Sequence, residues 1–343
     1  MSRKGTSRLT PVQEEPGRTV LITGVTGQDG IYLARFLRAR GARVVGVAPA
    51  AAAPPALRTA YLGDVEVVPL DVCDDDQVRA LVDRVRPDEV YNLAAVSSVA
   101  RSWDEPDITY AVNQGAVETL VRALLDLRGR TGHEARFFQA SSAEVTGSAA
   151  HSPYAQAKAA AEEVVREVRE RQGLHACYAR LHNHESPLRT TAFVTGKITR
   201  AVAEIAAGRV DELRLGNLDV SRDWGFAGDY VDAMCRMVAA DEPRDLPIGT
   251  GVAHRLADLL ATAFAVVGID DPAPYVVTDP ALVRPADTAV LVADPEPAAG
   301  ALGWRATTSF EDLVRLMVTV DQERLRTGVA DDVRYLSVGG TEQ

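Results

Sequence analysis

The sequence predicts an α/β fold in which a doubly wound parallel sheet is followed by a smaller C-terminal lobe. Short apolar segments alternate with segments of helical periodicity through the first 180 residues, and the connections between them are short. The apolar segments are hydrophobic along most of their length, as in strands that helices cover on both faces. The alternation ends near residue 181, beyond which prolines and shorter elements become frequent.

The predicted strands and helices follow one another in regular order. Apolar segments predict strands over 19–23, 43–48, 65–70, 89–94, 136–140 and 175–180. Helical spacing predicts a helix through Tyr32, Leu33, Phe36 and Leu37, and further helices over 76–85, 115–128 and 155–171. The segment 48–55, rich in alanine and proline, is predicted to be a loop because proline disrupts the interior of both kinds of element.

The composition excludes several classes of protein. The 343 residues are 46% hydrophobic and carry a formal charge of -11, which argues against global disorder and against binding to nucleic acid. Cys73, Cys177 and Cys235 are scattered, so we expect no disulfide scaffold and no metal site, and a reducing cytoplasm fits better. No apolar segment reaches the roughly 20 residues that span a bilayer. The first 17 residues lack the apolar stretch of a secretory signal.

A glycine-rich turn, 24–30, follows the first strand and opens the first helix. Glycines let backbone amides approach a pyrophosphate, and the helix N-terminus adds partial positive charge. The turn therefore predicts a dinucleotide site in a Rossmann-like sheet, at the edge where the strands end. The predicted cofactor contacts here are Gly24, Thr26, Gly27, Gln28, Asp29, Gly30, Asp71, Val72, Leu93, Ala94 and Ala95.

The residues after the second strand leave NAD and NADP both open. In this fold an acidic residue there holds the ribose 2′-hydroxyl of NAD, whereas an arginine suits the 2′-phosphate of NADP. The strand here ends in Val47, Ala48, Pro49 and Ala50, which include neither residue type.

Four polar residues after the fifth strand form the candidate catalytic group. Tyr154 and Lys158 lie four residues apart, on one face of the predicted helix. The ammonium is expected to lower the pKa of the phenol from ~10, so that Tyr154 accepts a proton from a sugar hydroxyl while hydride leaves. Ser142 is placed to hydrogen-bond the same oxygen. Glu144 is placed to remove a proton from the neighbouring carbon and help water depart.

Several segments resemble the GDP-mannose 4,6-dehydratase family, within the extended short-chain dehydrogenase/reductase superfamily. The matching segments are 23–30, 91–95, 183–187, 193–195, 215–219 and 222–225. The strings at 183–187 (Asn-His-Glu-Ser-Pro) and 215–225 are specific to this family. The resemblance covers residues 18 to 322, nearly the whole chain.

The resemblance implies a reaction on GDP-mannose. Hydride leaves C4 of the sugar, water is lost across C5 and C6, and hydride returns to C6, so that a tightly bound NADP or NAD ends unchanged. Ser142 would orient the substrate, Glu144 would act as acid and base at C5, and Tyr154 would be the base at the C4 hydroxyl. Lys158 would hold the ribose, which makes Tyr154 and Lys158 cofactor contacts as well. The implied substrate contacts are Ser97, Asn183, Glu185, Lys197, Arg222 and Arg284.

The domain and partner predictions follow from this reading. Residues 1–17 are predicted to be a tail and 18–180 the dinucleotide-binding domain. Residues 181–325 are predicted mainly to form a nucleotide-sugar-binding lobe, with segments returning to the first domain, and 326–343 a C-terminal tail. We expect a homodimer that pairs through the helices 115–128 and 155–171.

The chain departs from the family pattern in several places, including the following two, which keeps alternatives open. Pro49 and Ala50 stand where the family carries two arginines that help hold a 2′-phosphate and build a tetramer contact. The loop between Glu144 and Tyr154 is also shorter than in the family. The alternatives are a nucleotide-sugar epimerase, a dehydratase of other regiochemistry or substrate, and a non-catalytic protein that binds NAD(P).

Overall fold

The fold centres on a parallel sheet that helices cover on both faces. The computed structural model describes residues 17–146, 148–282 and 290–337. The strands are β1 (Thr19–Thr23), β2 (Arg43–Ala48), β3 (Glu66–Pro69), β4 (Glu89–Asn92), β5 (Arg136–Ser142), β6 (His175–Leu181), β7 (Asn183–Glu185), β8 (Leu213–Leu215), β9 (Ser221–Phe226), β10 (Leu246–Ile248), β11 (Ala253–Arg255), β12 (Val276–Thr278) and β13 (Val290–Leu291).

The helices alternate with these strands through the first half of the chain. They are α1 (Gln28–Arg38), α2 (Pro55–Leu57), α3 (Asp75–Val85), α4 (Val99–Asp104), α5 (Pro106–Tyr110), α6 (Ala116–Thr131), α7 (Pro153–Gln172), α8 (Val194–Ala206), α9 (Ala227–Ala239), α10 (Leu256–Val266), α11 (Glu296–Leu302) and α12 (Phe310–Thr327). None of the helices within the described residues is both long and apolar enough to cross a membrane.

The main sheet has seven strands in the order β10-β6-β5-β4-β1-β2-β3, and all the neighbouring pairs are parallel. The chain winds outward in both directions from β1 and β4, which pair with Thr23 opposite Asn92. Ligands of doubly wound sheets bind at such a switch point, beyond the carboxyl ends of the strands. The predicted fold class and its six strands are confirmed. The seventh strand, β10, was not predicted.

Two apolar layers hold the helices against the sheet. On one face α1 and α9 contribute buried side chains that include Leu33, Leu37, Tyr230 and Met234. On the other face α3, α6 and α7 contribute Val82, Leu120, Leu124 and Val165. Fully burying one side chain of this size stabilises the fold by about 1.5–3 kcal/mol. The layers therefore fix the strand ends that carry the polar residues.

A third apolar cluster forms the core of the C-terminal lobe. Helices α8, α10 and α12 pack around side chains that include Ile198, Val202, Phe264 and Val318. Strand β7 pairs with β9, so the chain segment that leaves the main sheet after β6 is hydrogen-bonded to this lobe. Helix α9 and strand β10 return to the first domain, where α9 packs on α1 and β10 extends the sheet.

The end of the described chain packs against the first domain. Tyr335 and Leu336 are buried, and the Tyr32 hydroxyl donates a hydrogen bond to the carbonyl oxygen of Leu336 at 3.1 Å. The predicted N-terminal tail, apart from Gly17, lies outside the described residues, as do the last six residues of the predicted C-terminal tail.

Candidate active site

The backbone of the glycine turn leaves no room for a side chain at Gly24 or at Gly30. Gly24 has a φ of +69°, and a Cβ there would lie 2.9 Å from the backbone nitrogen of Ala94. A Cβ on Gly30 would lie 2.3 Å from the carbonyl oxygen of Gly24. Helix α1 begins after Gly27 without a side-chain cap, so its first amides are available to an anion. This cradle fits the pyrophosphate of a dinucleotide.

The other predicted cofactor contacts lie at the same edge of the sheet. Asp71 and Val72 follow β3, and 93–95 follow β4. The backbone amides of Leu93 and Ala94 both donate to Thr23 Oγ1 at 3.2 Å, which fixes the β4 end beside the glycine turn. The half-buried Thr26 lies within the turn itself. The structure therefore brings the predicted dinucleotide contacts together.

Two segments that are far apart in sequence form one hydrogen-bonded network beside this cradle. Gln28 Nε2 donates to the carbonyl oxygen of His184 at 3.0 Å, and Ser186 Oγ donates to Gln28 Oε1 at 2.8 Å. Asp29 Oδ2 lies 2.8 Å from His184 Nε2. These residues belong to the segments 23–30 and 183–187, so the network joins the glycine turn to the chain segment that follows the main sheet.

The Asp29–His184 pair is an ion pair in an enclosed position. Burial disfavours the charged form of each group, but the mutual attraction and hydrogen bond outweigh it. The pKa of Asp29 is lowered and the pKa of His184 is raised. The His184 ring also stacks on Tyr230, with ring centroids 4.6 Å apart, and its Nδ1 lies 2.7 Å from the carbonyl oxygen of His182. His184 is therefore held from both sides.

The candidate catalytic residues converge at the carboxyl end of β5. Ser142 is the last residue of β5, and Tyr154 and Lys158 lie on the first turns of α7. Ser142 Oγ accepts the amide N–H of Glu144 at 3.2 Å and is hydrogen-bonded to Tyr154. Tyr154 and Lys158 are buried, while Glu144 is half-buried. Glu144 lies close enough for its charge to raise the pKa of Tyr154.

The electrostatics of Tyr154 differ from the sequence-based expectation. Burial raises the pKa of Tyr154, and the hydrogen bond from Ser142 only partly offsets it. Lys158 Nζ donates to the carbonyl oxygen of Ala140 at 2.8 Å. Burial lowers the pKa of Lys158 to about 8. The expected lowering of the Tyr154 pKa by Lys158 is therefore wrong, because desolvation dominates at this enclosed position.

Arg189 is a site residue that the sequence reasoning missed. Its Nε donates to Glu185 Oε2, its Nη2 donates to the carbonyl oxygen of His184, and its guanidinium lies over the Phe193 ring at 4.5 Å. Its positive charge lowers the pKa of both Asp29 and Tyr154. Glu185, predicted to contact the substrate, is buried and paired with this arginine. The only sequence signal was the spacing of four residues between glutamate and arginine.

The other predicted substrate contacts lie on separate elements of both domains. Asn183 is exposed on β7 and pairs with Trp224, two residues from the buried Arg222 on β9. Lys197 lies on α8 and donates to the carbonyl oxygen of Arg214 at 2.6 Å. Ser97 is exposed, just before α4. Arg284 lies outside the described residues.

No group of three or more acidic, histidine or cysteine side chains among the described residues is arranged to hold a metal ion. The candidate catalytic group at the β5 end supplies a hydroxyl, a carboxylate, a phenol and an ammonium. A phenol and a carboxylate supply two proton-transfer groups beside a dinucleotide cradle.

Comparison with known proteins agrees with this site. The family model for GDP-mannose 4,6 dehydratase matches residues 21–317. The GDP-mannose 4,6 dehydratase 2 of Arabidopsis thaliana is 38% identical over 346 residues, covering 94% of this chain and 92% of that protein. The GDP-mannose 4,6 dehydratase of Homo sapiens is 35% identical over 352 residues, covering 91% and 94%.

A solved structure supports the fold across nearly the same span. The Thermus thermophilus UDP-glucose 4-epimerase in complex with NAD superposes with a TM-score of 0.74 at 25% identity, covering 91% of this chain and 100% of that one. The sequence matches extend across both lobes and include the segments that carry Ser142, Glu144, Tyr154 and Lys158. The chain therefore belongs to the GDP-mannose 4,6-dehydratase family.

Proposed function

We propose that this protein is a GDP-mannose 4,6-dehydratase, a hydro-lyase that uses NAD(P) to convert GDP-mannose into GDP-4-keto-6-deoxymannose. The observation that carries the proposal is Glu144, whose amide is hydrogen-bonded to Ser142 Oγ and whose charge acts on Tyr154. A carboxylate beside the oxidising phenol is what elimination of water requires. Oxidation at C4 alone needs no such group.

Tyr154 and Ser142 act on the C4 hydroxyl in this mechanism. Ser142 orients the hydroxyl, and Tyr154 accepts its proton. The positive charge that an oxidised nicotinamide would add when bound favours the phenolate and so offsets the burial that raises the pKa of Tyr154. The nicotinamide, when bound, supplies the reversible two-electron oxidation and ends the cycle unchanged. Lys158 is held by the carbonyl oxygen of Ala140 at 2.8 Å, where its ammonium is placed to bind the ribose of the cofactor.

Glu144 carries out the elimination. A ketone at C4 acidifies the C–H bond at C5, and the carboxylate of Glu144 removes that proton. The protonated Glu144 then helps the C6 hydroxyl leave as water. Its position beside Ser142 and Tyr154 supports both roles, because the carboxylate lies next to the residues proposed to act at C4.

The C-terminal lobe, 181–325, binds the nucleotide diphosphate and closes over the sheet edge. Asn183, Arg222 and Arg284 are the residues we assign to this role, with Lys197 further out on α8. Arg222 is 9% exposed on β9, where a guanidinium is pre-oriented for phosphate oxygens. Ser97 is assigned to the sugar side of the pocket.

Epimerisation is the second candidate function, and the short connection between Glu144 and Tyr154 favours it. A shorter loop leaves the pocket more open, so a keto-sugar intermediate has more room to rotate before it is reduced again. Epimerases on this fold use the tyrosine and lysine but need no glutamate at the position of Glu144, two residues after the serine. The proximity of Glu144 to Tyr154 therefore supports dehydration more strongly.

Mass spectrometry of the sugar nucleotide tests the proposed function. Incubation with GDP-mannose is expected to give a product lighter by one water. Glu144→Gln, which keeps the size of the side chain, is expected to stop this loss. Product of unchanged mass that differs from GDP-mannose by NMR would establish epimerisation instead. Unchanged GDP-mannose in both assays would contradict both functions for this substrate.

We propose that the protein forms a homodimer through the surface of α6 and α7. Trp103 and Ile108 are 60% and 50% exposed, on α4 and α5, which pack against α7. These side chains extend an apolar surface next to the half-buried Ala159 and Ala160 of α7. In the proposed dimer, the same face of a second copy of the protein covers this apolar surface. Light scattering is expected to give a dimer for the wild type and a monomer for Ile108→Glu.

Val210→Glu is the matched control for the dimer, because Val210 is exposed on the C-terminal lobe. It is expected to remain dimeric. A monomeric wild type would contradict the dimer. The free thiols of Cys73, Cys177 and Cys235 support a cytoplasmic location, which fractionation of cells that produce the protein tests directly.

A further inference from the structure

The turn after β2 borders the position that the adenosine ribose of a dinucleotide takes in this fold. Residues 49–57 of this turn contain only alanine, proline and leucine. They form a helical turn over Ala50–Ala52, then the buried Ala53, and then α2. Neither a cation nor an acid is present in this stretch. The next cation, Arg58, is exposed and lies beyond α2.

The neighbouring strand end is acidic. Strand β3 pairs with β2, with Pro69 opposite Ala48, so Asp71 follows two residues beyond this pair. The Asp71 side chain is exposed and accepts a hydrogen bond from the amide of Cys73 at 3.0 Å. Partial burial and the Asp71 charge raise the pKa of the Cys73 thiol to about 11. The local field at this strand end is therefore negative.

Three further carboxylates follow at the start of α3. Asp74 caps this helix, and Asp76 adds to its acidic first turn. Asp75 pairs with Arg122 at 2.6 Å, and the charge of Arg79 acts on the same carboxylate. Both arginines therefore act on Asp75, so the negative charge of the stretch is only partly neutralised.

A 2′-phosphate and a 2′-hydroxyl interact very differently with this acidic strand end. The phosphate carries a charge of about -2 at neutral pH, so it is repelled by carboxylates and needs a guanidinium partner. The hydroxyl is neutral and tolerates the same surroundings. We propose that this site takes NAD and discriminates against NADP, with the uncharged turn 49–57 and Asp71 as the determinants. The proposal rests on the dinucleotide site and is independent of the substrate.

The cofactor that stays with the purified protein gives the first test. The protein is denatured, and the released dinucleotide is identified by mass spectrometry; NAD is expected. Protein stripped of cofactor is then titrated with NADH and with NADPH by fluorescence, and NADH is expected to bind at least about tenfold more tightly. Released NADP, or equal affinities, would overturn the proposal. Neither readout requires turnover, so a failure of the dehydratase assignment leaves this test intact.

Variants of the turn test the determinants. Pro49→Arg combined with Ala50→Arg is expected to raise the NADPH affinity about tenfold and leave the NADH affinity nearly unchanged. Ala207→Arg, at the exposed end of α8, adds a charge of the same sign elsewhere and is expected to change neither affinity. Asp71→Asn is expected to raise the ratio of NADPH to NADH affinity. An unchanged ratio in both the arginine and the asparagine variants would refute these determinants.

Discussion

Asp29 at the start of α1 and His184 on β7 form an ion pair in which His184 Nε2 lies 2.8 Å from Asp29 Oδ2. The pair joins the glycine turn to the first strand after the chain leaves the main sheet. It lies between the dinucleotide cradle and the C-terminal lobe. A change in the charge of either group is therefore expected to affect both parts of the site.

The first prediction is a pH-dependent loss of stability in His184→Gln. The pKa of His184 is raised above 6.5, so its contribution is complete below about pH 6.5 and is lost as the pH rises through the raised value. The pKa of Asp29 is lowered below 3.8, so its contribution is complete above about pH 4 and is lost as the pH falls through the lowered value. Between these limits His184→Gln is expected to lower the free energy of unfolding by about 2 kcal/mol.

Thermal unfolding of the wild type and His184→Gln from pH 4 to pH 9 measures this effect. The Tm difference is expected to be largest between about pH 4.5 and 6.5 and to shrink toward pH 9. Asp29→Asn is expected to give the same pH profile, because it removes the same pair. A Tm difference that is constant across the range would show that the pair adds no charge-dependent stability.

The second prediction compares two glycine substitutions. Gly30→Ala places a Cβ 2.3 Å from the carbonyl oxygen of Gly24, so the glycine turn must shift. It is expected to cost about 1–3 kcal/mol and to weaken dinucleotide binding strongly. Gly129→Ala lies in α6 with open space around the new methyl group, so it is expected to stabilise the fold by about 0.5–1 kcal/mol. Thermal unfolding and cofactor titration measure both; equal effects would contradict the steric argument.

The fold and part of the site could be predicted because the signals are local. Each strand of the main sheet up to β6 lies in a segment that is largely apolar, and the glycines stand directly after β1. Ser142 and Tyr154 were predicted from β5 and α7, which are neighbours in sequence and pack together. For such residues the spacing along the chain almost determines the distance in space.

The features that escaped prediction depend on contacts between distant segments. Asp29 and His184 are 155 residues apart, and the pairing becomes visible only once β7 is placed beside α1. Strand β10 has only three residues, too few for a periodic pattern. The direction of the Tyr154 pKa also failed, because burial depends on the packing of the whole site and not on the spacing of Tyr154 and Lys158.

The third prediction separates the roles of Tyr154 and Glu144. Tyr154→Phe keeps the buried ring but removes the proton acceptor, so neither cofactor reduction nor water loss is expected, with activity lower by about 10²–10⁴. Glu144→Gln is expected to reduce the cofactor reversibly and still form no dehydrated product. Absorbance at the wavelength of reduced nicotinamide, followed with the product mass, distinguishes the two. Water loss by Tyr154→Phe at the wild-type rate would remove Tyr154 from the mechanism.

The fourth prediction concerns Asp223, a fully buried carboxylate on β9 next to Arg222. Its Oδ1 accepts from the amide and hydroxyl of Thr250 at 2.9 and 2.6 Å. Its Oδ2 accepts from the amides of Gly251 and Ala293 at 2.9 and 3.2 Å. Ala293 closely follows β13, which pairs with β9 at Arg222. Asp223 therefore ties the strands around Arg222 into one frame.

Each oxygen of Asp223 accepts two hydrogen bonds, and Asp223→Asn replaces one of these oxygens with an NH₂ group that cannot accept. The two hydrogen bonds to that oxygen are therefore lost. Because Arg222 is the proposed diphosphate contact, KM for GDP-mannose is expected to rise about tenfold while kcat changes much less. Thr250→Val removes one donor and is expected to have a smaller effect in the same direction. If Asp223 served stability alone, both variants would lower Tm without raising KM. A rise in KM that parallels the loss of hydrogen bonds, with the catalytic group at β5 unaffected, is therefore the result that identifies Asp223 as a positioning residue.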